Sequence, residues 1–335
     1  MNGRGVMQGA YISALGVHVP DQILTNDEIA RLPGIETSDE WITTRTGIRE
    51  RRVAGDGESP SDLGIAAARA CLASRDFDPA DVDIVIGSSL VPDMIFPATA
   101  SVIAKGIGAV NAGAFDVQAG CAGYMYGLAA AIGFISAGLA RHVLVVGAET
   151  LTRVLDWQDR SSCILFGDGA GATLVSASDN GTRFHFDLGN DGAGAPFLNL
   201  PAGGMRMPAS HETVDARQHY LKMDGPEVYK FATRKVVESC ANVLAKAGVE
   251  AADVDLFVPH QANMRIIDHA ARRLGFREEQ VFYNLDRYGN TSCASIPLCL
   301  AEANESGRLS KGDTVLLVGF GAGLTWGTCL TTWEL

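Results

Sequence analysis

The chain has 335 residues, 47% hydrophobic and 20% charged, with a formal net charge of −12. That is an ordinary globular composition, long enough for one large domain or two moderate ones. The acidic balance argues against nucleic-acid binding as the main task, and no uninterrupted apolar run reaches the roughly 20 residues that a membrane span needs.

The N-terminal stretch lacks a charged-then-apolar layout with a small-residue cleavage site, so it reads as a short disordered lead into a first strand. Thr25 and Glu28 fit a capping box that opens a short helix. Residues 61–75 carry apolar side chains at helical spacing, followed by a strand over 84–87, a helix over 98–107 and a strand over 113–118. A helix is expected over 121–137, with Gly138 as its stop. Buried strands are expected over 143–147 and 172–176. Residues 178–222 are rich in Gly, Pro, Asn and Asp and predict loops plus a hairpin over one face. The alternation then resumes: helix 228–247, strand 256–259, helices 262–274 and 292–305, strands 314–319 and 325–331. Strands alternating with helices imply layered α/β packing.

The two halves repeat each other. Ala80 to Ser89 reads ADVDIVIGSS and Ala252 to Gln261 reads ADVDLFVPHQ, 172 positions later. Aligning Gly138 with Gly307 and counting back 17 places sets Cys121 against Asn290; the strand match sets His260 against Ser88. Two α/β halves with their sheets back to back and helices between them would give five layers. The helix from Cys121 is apolar on every side, as a helix sandwiched between two sheets must be. The halves are placed at 1–178 and 179–335, the second beginning with the irregular segment 179–222.

Three residues stand out chemically. Cys121 ends a strand and starts a helix, where free N–H groups and the helix dipole favour a thiolate; a small core cysteine would fit the position equally. His260 lies at the C-terminal end of an apolar strand, where open α/β sheets place ligand groups, although a hydrogen-bonded structural histidine fits there too. Asn290 reads alone as a cap for the following helix, but the repeat places it at the register of Cys121. Seven cysteines, an odd number without a CxxC pair, suit free thiols in a reducing cytoplasm; neither a disulfide frame nor a metal site is expected. Gly167–Gly171 and Gly319–Gly323 each precede strand-like sequence, so neither is a dinucleotide fingerprint. Each is read as a tight turn where backbone approaches backbone or ligand. The HxxxD spacing of His211 and Asp215 is set aside as chance.

Seven strings, in order, carry a resemblance: Thr37-Ser-Asp-Glu-Trp41, Arg45-Thr-Gly-Ile-Arg49, Cys121-Ala-Gly, Phe166-Gly-Asp-Gly-Ala-Gly171, Pro259-His-Gln-Ala-Asn263, Gly289-Asn-Thr-Ser292 and Phe320-Gly-Ala-Gly-Leu-Thr-Trp-Gly327. Over nearly its whole length the chain resembles the β-ketoacyl-ACP synthase III group of the thiolase superfamily. The resemblance implies a thiolase-like five-layer αβαβα fold of two pseudo-twofold-related halves, acting as a homodimer. It implies that Cys121 is acylated by an acyl-CoA and that the acyl group is then taken by the carbanion of decarboxylating malonyl-ACP. His260 and Asn290 would stabilise the enolate, and the backbone N–H groups of Cys121 and Ala322 the tetrahedral oxyanion; Ala322 departs from the family's usual glycine.

The same resemblance assigns Trp41, Arg45, Thr37, Arg160, Gly225 and Asn263 to coenzyme A. It assigns Phe96, Leu165, Met223 and Tyr229 to the acyl pocket, with Phe96 reaching into the partner's pocket and favouring a short primer. Arg265, Arg272 and Arg273 would face acyl carrier protein, although a merely solvated helix face also fits Arg272 and Arg273. No cofactor is implied beyond the coenzyme A thioester that serves as substrate. Thiolases place a second cysteine near the C-terminal glycine string, and the elongating synthases use two histidines; Asn290 matches neither pattern. Two alternatives are an acyltransferase of secondary metabolism acting on a non-malonyl acceptor, and a silent scaffold that binds carrier protein.

Overall fold

The computed structural model describes residues 9–179 and 181–335. The expected lead at residues 1–8 lies outside the described residues, and the first strand is Gly9–His18. One sheet has the order Gly9–His18, Gly169–Ser178, His142–Glu149, Ile84–Ser88, Gly113–Asp116. The last three strands are parallel, and Gly169–Ser178 runs antiparallel to both its neighbours. The other sheet has the order Leu256–Pro259, Thr314–Gly321, Thr325–Thr332, His185–Asn190. Its first pair is parallel and the other two pairs are antiparallel. Four strands of each half therefore run in the same relative order and direction.

The repeat extends to single bonds. The Asp83 N–H donates to the carbonyl of His142 and the Asp255 N–H to that of Thr314, each at 2.9 Å. Each aspartate carboxylate accepts an N–H from the adjoining strand, at His142 (2.9 Å) and Thr314 (2.8 Å). The shared acidic start of the two repeats is thus a pin that sets the register of two parallel strands.

Five layers result. The helices Pro60–Ala73 and Thr99–Ile107 cover one face of the first sheet, and Gly225–Ala247 and Met264–Leu274 cover the outer face of the second. Gly123–Ser136 and Ser295–Glu305 lie between the sheets. Tyr124, Met125, Leu128 and Ile135 pack in one cluster with Val143 and Val145 of the first sheet and with Val258 and Leu317 of the second. A helix with sheet on both sides has no face left for polar residues, which explains its uniformly apolar sequence.

The irregular segment differs from expectation. Its residues His185–Asn190 form the edge strand of the second sheet, paired with Thr325–Thr332. Its partly exposed, polar sequence hid it, as is common at sheet edges. Leu198–Asn199 pairs with Lys222–Met223. The first glycine string leads into strand, with Gly169 opening Gly169–Ser178; the second ends the Thr314–Gly321 strand and, as expected, forms the tight turn to Thr325–Thr332 at residues 322–324. They serve close approach, because a Cβ at Gly171 would lie 2.7 Å from Pro297 of the interlayer helix. His211 and Asp215 are exposed at the two ends of a one-turn helix.

Candidate active site

The two interlayer helices point their N-termini at one place. Cys121 lies two residues before Gly123–Ser136. Asn290 lies before a short 3-10 turn that leads into Ser295–Glu305. Gly138 and Gly307, which end these helices, share φ of +70°. His260 follows the Leu256–Pro259 strand directly. Cys121, His260 and Asn290 line one cavity of about 140 Å³. A second cavity of about 350 Å³ meets the first at Cys121, Phe166 and Leu198. Leu90, Val91, Leu151, Val154 and Leu221 make that second chamber chiefly apolar. The sulfur therefore stands where two chiefly apolar cavities join, one of them carrying His260 and Asn290.

His260 is buried, and burial lowers its pKa to about 3, so the imidazole is neutral at physiological pH. Its Nδ1 lies 2.7 Å from the Ser295 hydroxyl, which also accepts the Gln261 N–H at 3.4 Å. The Asn290 Oδ1 accepts the Ser292 N–H at 2.9 Å. That bond fixes the carboxamide and aligns its amino group as a donor; among the described residues no acceptor is paired with it. No hydrogen bond joins His260 to Cys121.

The expected thiolate at Cys121 needs correction. Burial pushes the thiol up to about 12, against the opposing pull of the Ser292 hydroxyl and of the Ala322 and Cys121 backbone N–H groups. Helix termini act within a turn, whereas desolvation acts on the whole charge. The resting thiol is therefore protonated, and its proton has to leave as the sulfur reacts. The two N–H groups directed at sulfur are those expected to hold an oxyanion.

Close packing holds the sulfur in place. A Cβ on Gly321 would lie 2.6 Å from the Cys121 nitrogen and 2.9 Å from its Sγ. Gly321→Ala is expected to cost about 1–3 kcal/mol of stability and to slow alkylation of Cys121. Thermal unfolding and iodoacetamide labelling measure the two effects.

The remaining expected residues fall into three groups. Trp41 lies between two guanidinium groups, with Arg45 at 4.7 Å and Arg160 at 4.6 Å from the ring centroid. Nearby, the Thr37 hydroxyl is buried without a hydrogen-bond partner. Gly225 and Asn263 line the cavity of His260 and Asn290. Leu165, Met223 and Tyr229, expected in the acyl pocket, line this same cavity rather than the apolar chamber. The chain crosses the passage at those positions before it reaches the chamber. Phe96 lines neither cavity and is 81% exposed beside Met94 and Ile95. Arg265, Arg272 and Arg273 are exposed on the Met264–Leu274 helix, and among the described residues none is in a salt bridge.

The sequence reading missed Ser295, the chamber residues and Glu149. A carboxylate ending the apolar run of His142–Glu149 was a legible signal, since His260 was found at the same kind of strand end. The chamber residues had none, because Leu90 and Val91, Leu151 and Val154, and Leu221 come from three separate stretches of chain.

Known proteins extend this picture. The family described as 3-oxoacyl-[acyl-carrier-protein] synthase III matches residues 115–192, and its C-terminal counterpart matches residues 244–333. The β-ketoacyl-[acyl-carrier-protein] synthase III of Caldanaerobacter subterraneus subsp. tengcongensis is 46% identical over 326 residues, covering 97% of this chain and 98% of that protein. That of Symbiobacterium thermophilum is 49% identical over 323 residues, covering 96% and 97%. The crystal structure of the synthase III from Thermus thermophilus superposes with a TM-score of 0.89 at 46% identity, covering 97% of this chain and 99% of that one. The chain, with its thiolase-like fold, belongs to the β-ketoacyl-ACP synthase III family.

Proposed function

We propose that the chain joins an acyl-CoA primer to malonyl-ACP by decarboxylating Claisen condensation, through an acyl-Cys121 intermediate, and so initiates fatty acid synthesis. The observation that carries this reading is the meeting of two cavities at one sulfur, with His260 and Asn290 lining one of them and neither lining the other. The apolar chamber suits the acyl group held on Cys121, and the passage with His260 and Asn290 suits the malonyl thioester. As CO₂ leaves, negative charge grows on the thioester oxygen. Two preorganised neutral donors then stabilise it more than they stabilise the ground state. For His260 to donate from Nε2, Nδ1 must accept, which assigns the Ser295 hydroxyl as donor to Nδ1. Attack of the carbanion on the acyl-Cys121 carbonyl moves the charge to that oxygen, beside the Cys121 and Ala322 N–H groups.

A purine would stack on Trp41 by taking the place of one of the two guanidinium groups over its ring, Arg45 or Arg160. Gly225 and Asn263 would line the pantetheine arm. Trp41→Ala is expected to raise KM for acyl-CoA by about 10-fold with a smaller change in kcat, measured by steady-state kinetics. Arg265, Arg272 and Arg273 form a basic island on a protein of net charge −12 and suit an acidic carrier protein. Exposed Met94, Ile95 and Phe96 suit a homodimer in which Phe96 closes the partner's chamber and keeps the primer short. Soluble acyl-CoA and carrier-protein substrates, with seven buried free thiols, suit the cytoplasm. Among the described residues, no helix is long and apolar enough to cross a membrane. The reaction needs no cofactor beyond the coenzyme A thioester consumed as substrate.

The test is intact-mass measurement after mixing with acetyl-CoA, followed by malonyl-ACP and CO₂ detection. An acyl adduct that malonyl-ACP discharges with CO₂ release supports the reading. An adduct that is discharged only by alcohols or amines would replace it with simple acyl transfer, and no adduct at all would sink both.

A further inference from the structure

Glu302 lines neither cavity, yet three side chains of one short stretch converge on its carboxylate. Asn284 Nδ2 donates to Oε2 at 3.1 Å, the Arg287 guanidinium donates to both oxygens at 3.1 and 2.7 Å, and the Tyr288 hydroxyl donates to Oε1 at 2.7 Å. Burial and the adjoining carboxylate push the Tyr288 phenol up to about 12, so it remains a donor. The Arg287 side chain is half exposed, and an ion pair so open to water contributes little stability. What directed bonds from three residues supply is geometry.

The stretch so held leads to one of the two enolate donors and touches the neighbour of the other. Tyr288 and Gly289 run directly into Asn290. Asn284 is buried at the start of the Leu285–Tyr288 turn. Its N–H donates to Gln261 Oε1 at 3.1 Å, and Gln261 Nε2 donates to the Pro259 carbonyl at 2.6 Å. Pro259 and Gln261 flank His260. Glu302 itself lies on the interlayer helix Ser295–Glu305, about two turns after Ser295 and so on the same face. The Ser295 hydroxyl is the group that meets His260 Nδ1 at 2.7 Å. One helix face therefore holds His260 at its start and the approach to Asn290 further along.

Other bonds fix Asn290 against the first half. Its N–H donates to the Leu165 carbonyl at 2.8 Å, and its carbonyl accepts the Gly167 N–H at 3.0 Å. Beyond it, the Cys293 N–H donates to the buried Glu149 carboxylate at 3.5 Å. His260 follows a strand of the second sheet. Glu302 ties the Asn290 stretch to the helix that holds His260.

We propose that Glu302 is a positioning residue for decarboxylation: it braces the Asn284–Tyr288 stretch against the Ser295–Glu305 helix, so that Asn290 and His260 face one thioester oxygen. It rests on the condensation reading above. Two donors share one developing charge only when both reach it, and a small displacement of either forfeits that gain. Cys121 lies before the other interlayer helix, so its acylation does not depend on the brace.

The experiment measures CO₂ release from malonyl-ACP and single-turnover acylation by acetyl-CoA. The proteins are wild type, Glu302→Ala, Tyr288→Phe, and each of these changes combined with Asn290→Ala. Glu302→Ala is expected to lower kcat for decarboxylation about 10-fold, with KM for malonyl-ACP little changed. Tyr288→Phe, which removes a single strut, should lower it less. Acylation by both single variants should stay near wild type. On the Asn290→Ala background either change should cost almost nothing further, because the group being positioned is gone. A merely structural role would slow acylation and decarboxylation together and would keep its full effect on that background; either result would overturn the proposal. So would single variants that decarboxylate at the wild-type rate. Tyr288→Phe keeps the test decisive if Glu302→Ala does not fold. Wild type that releases no CO₂ would instead remove the condensation reading itself.

Discussion

Cys121→Ala is expected to form no acyl adduct and to lose condensation by at least about a thousandfold. Cys121 is the one cysteine among the residues lining the two cavities. Cys71, Cys163, Cys240, Cys299 and Cys329 line neither cavity, so they do not replace it. Decarboxylation of malonyl-ACP should survive this change, since its donors lie on other elements. The readout is intact mass after acetyl-CoA, paired with CO₂ release from malonyl-ACP alone. A full-stoichiometry adduct on the variant would move the nucleophile elsewhere, with neighbouring Cys293 the first suspect.

His260→Ala and Asn290→Ala should show the opposite pattern. Acylation should hold within a few-fold, while decarboxylation falls by about 10²–10³. Neither side chain hydrogen-bonds to Cys121, so neither is needed to free the sulfur. The pH dependence gives an independent check. Burial holds the His260 pKa near 3, below the usual 6.5, so the ring stays neutral when pH falls from 8 to about 5. The decarboxylation rate should therefore stay flat across this range. A decarboxylation rate that falls through pH 6–7 would show that the ring protonates there and that its neutral-donor role is wrong.

Much of the site was legible because the chain is duplicated. Asn290 read alone is a helix cap; only its register against Cys121 made it chemical. His260 was visible at the end of its strand. The reading failed where long-range packing decides. The Cys121 thiol was expected low from its helix, but the surrounding sheets desolvate it and win. The strand His185–Asn190 was lost in polar sequence because an edge needs apolar residues on one face at most.

The order of the strands, the buried interlayer helices and the identity of the three central side chains follow from local sequence. Periodicity and strand ends are properties of neighbouring residues, and internal repetition is a comparison of two such local strings. What tertiary structure alone decided is the joining of two cavities at one sulfur and the desolvation of the Cys121 thiol. These depend on burial and on contacts between residues more than a hundred positions apart, for which no local pattern exists.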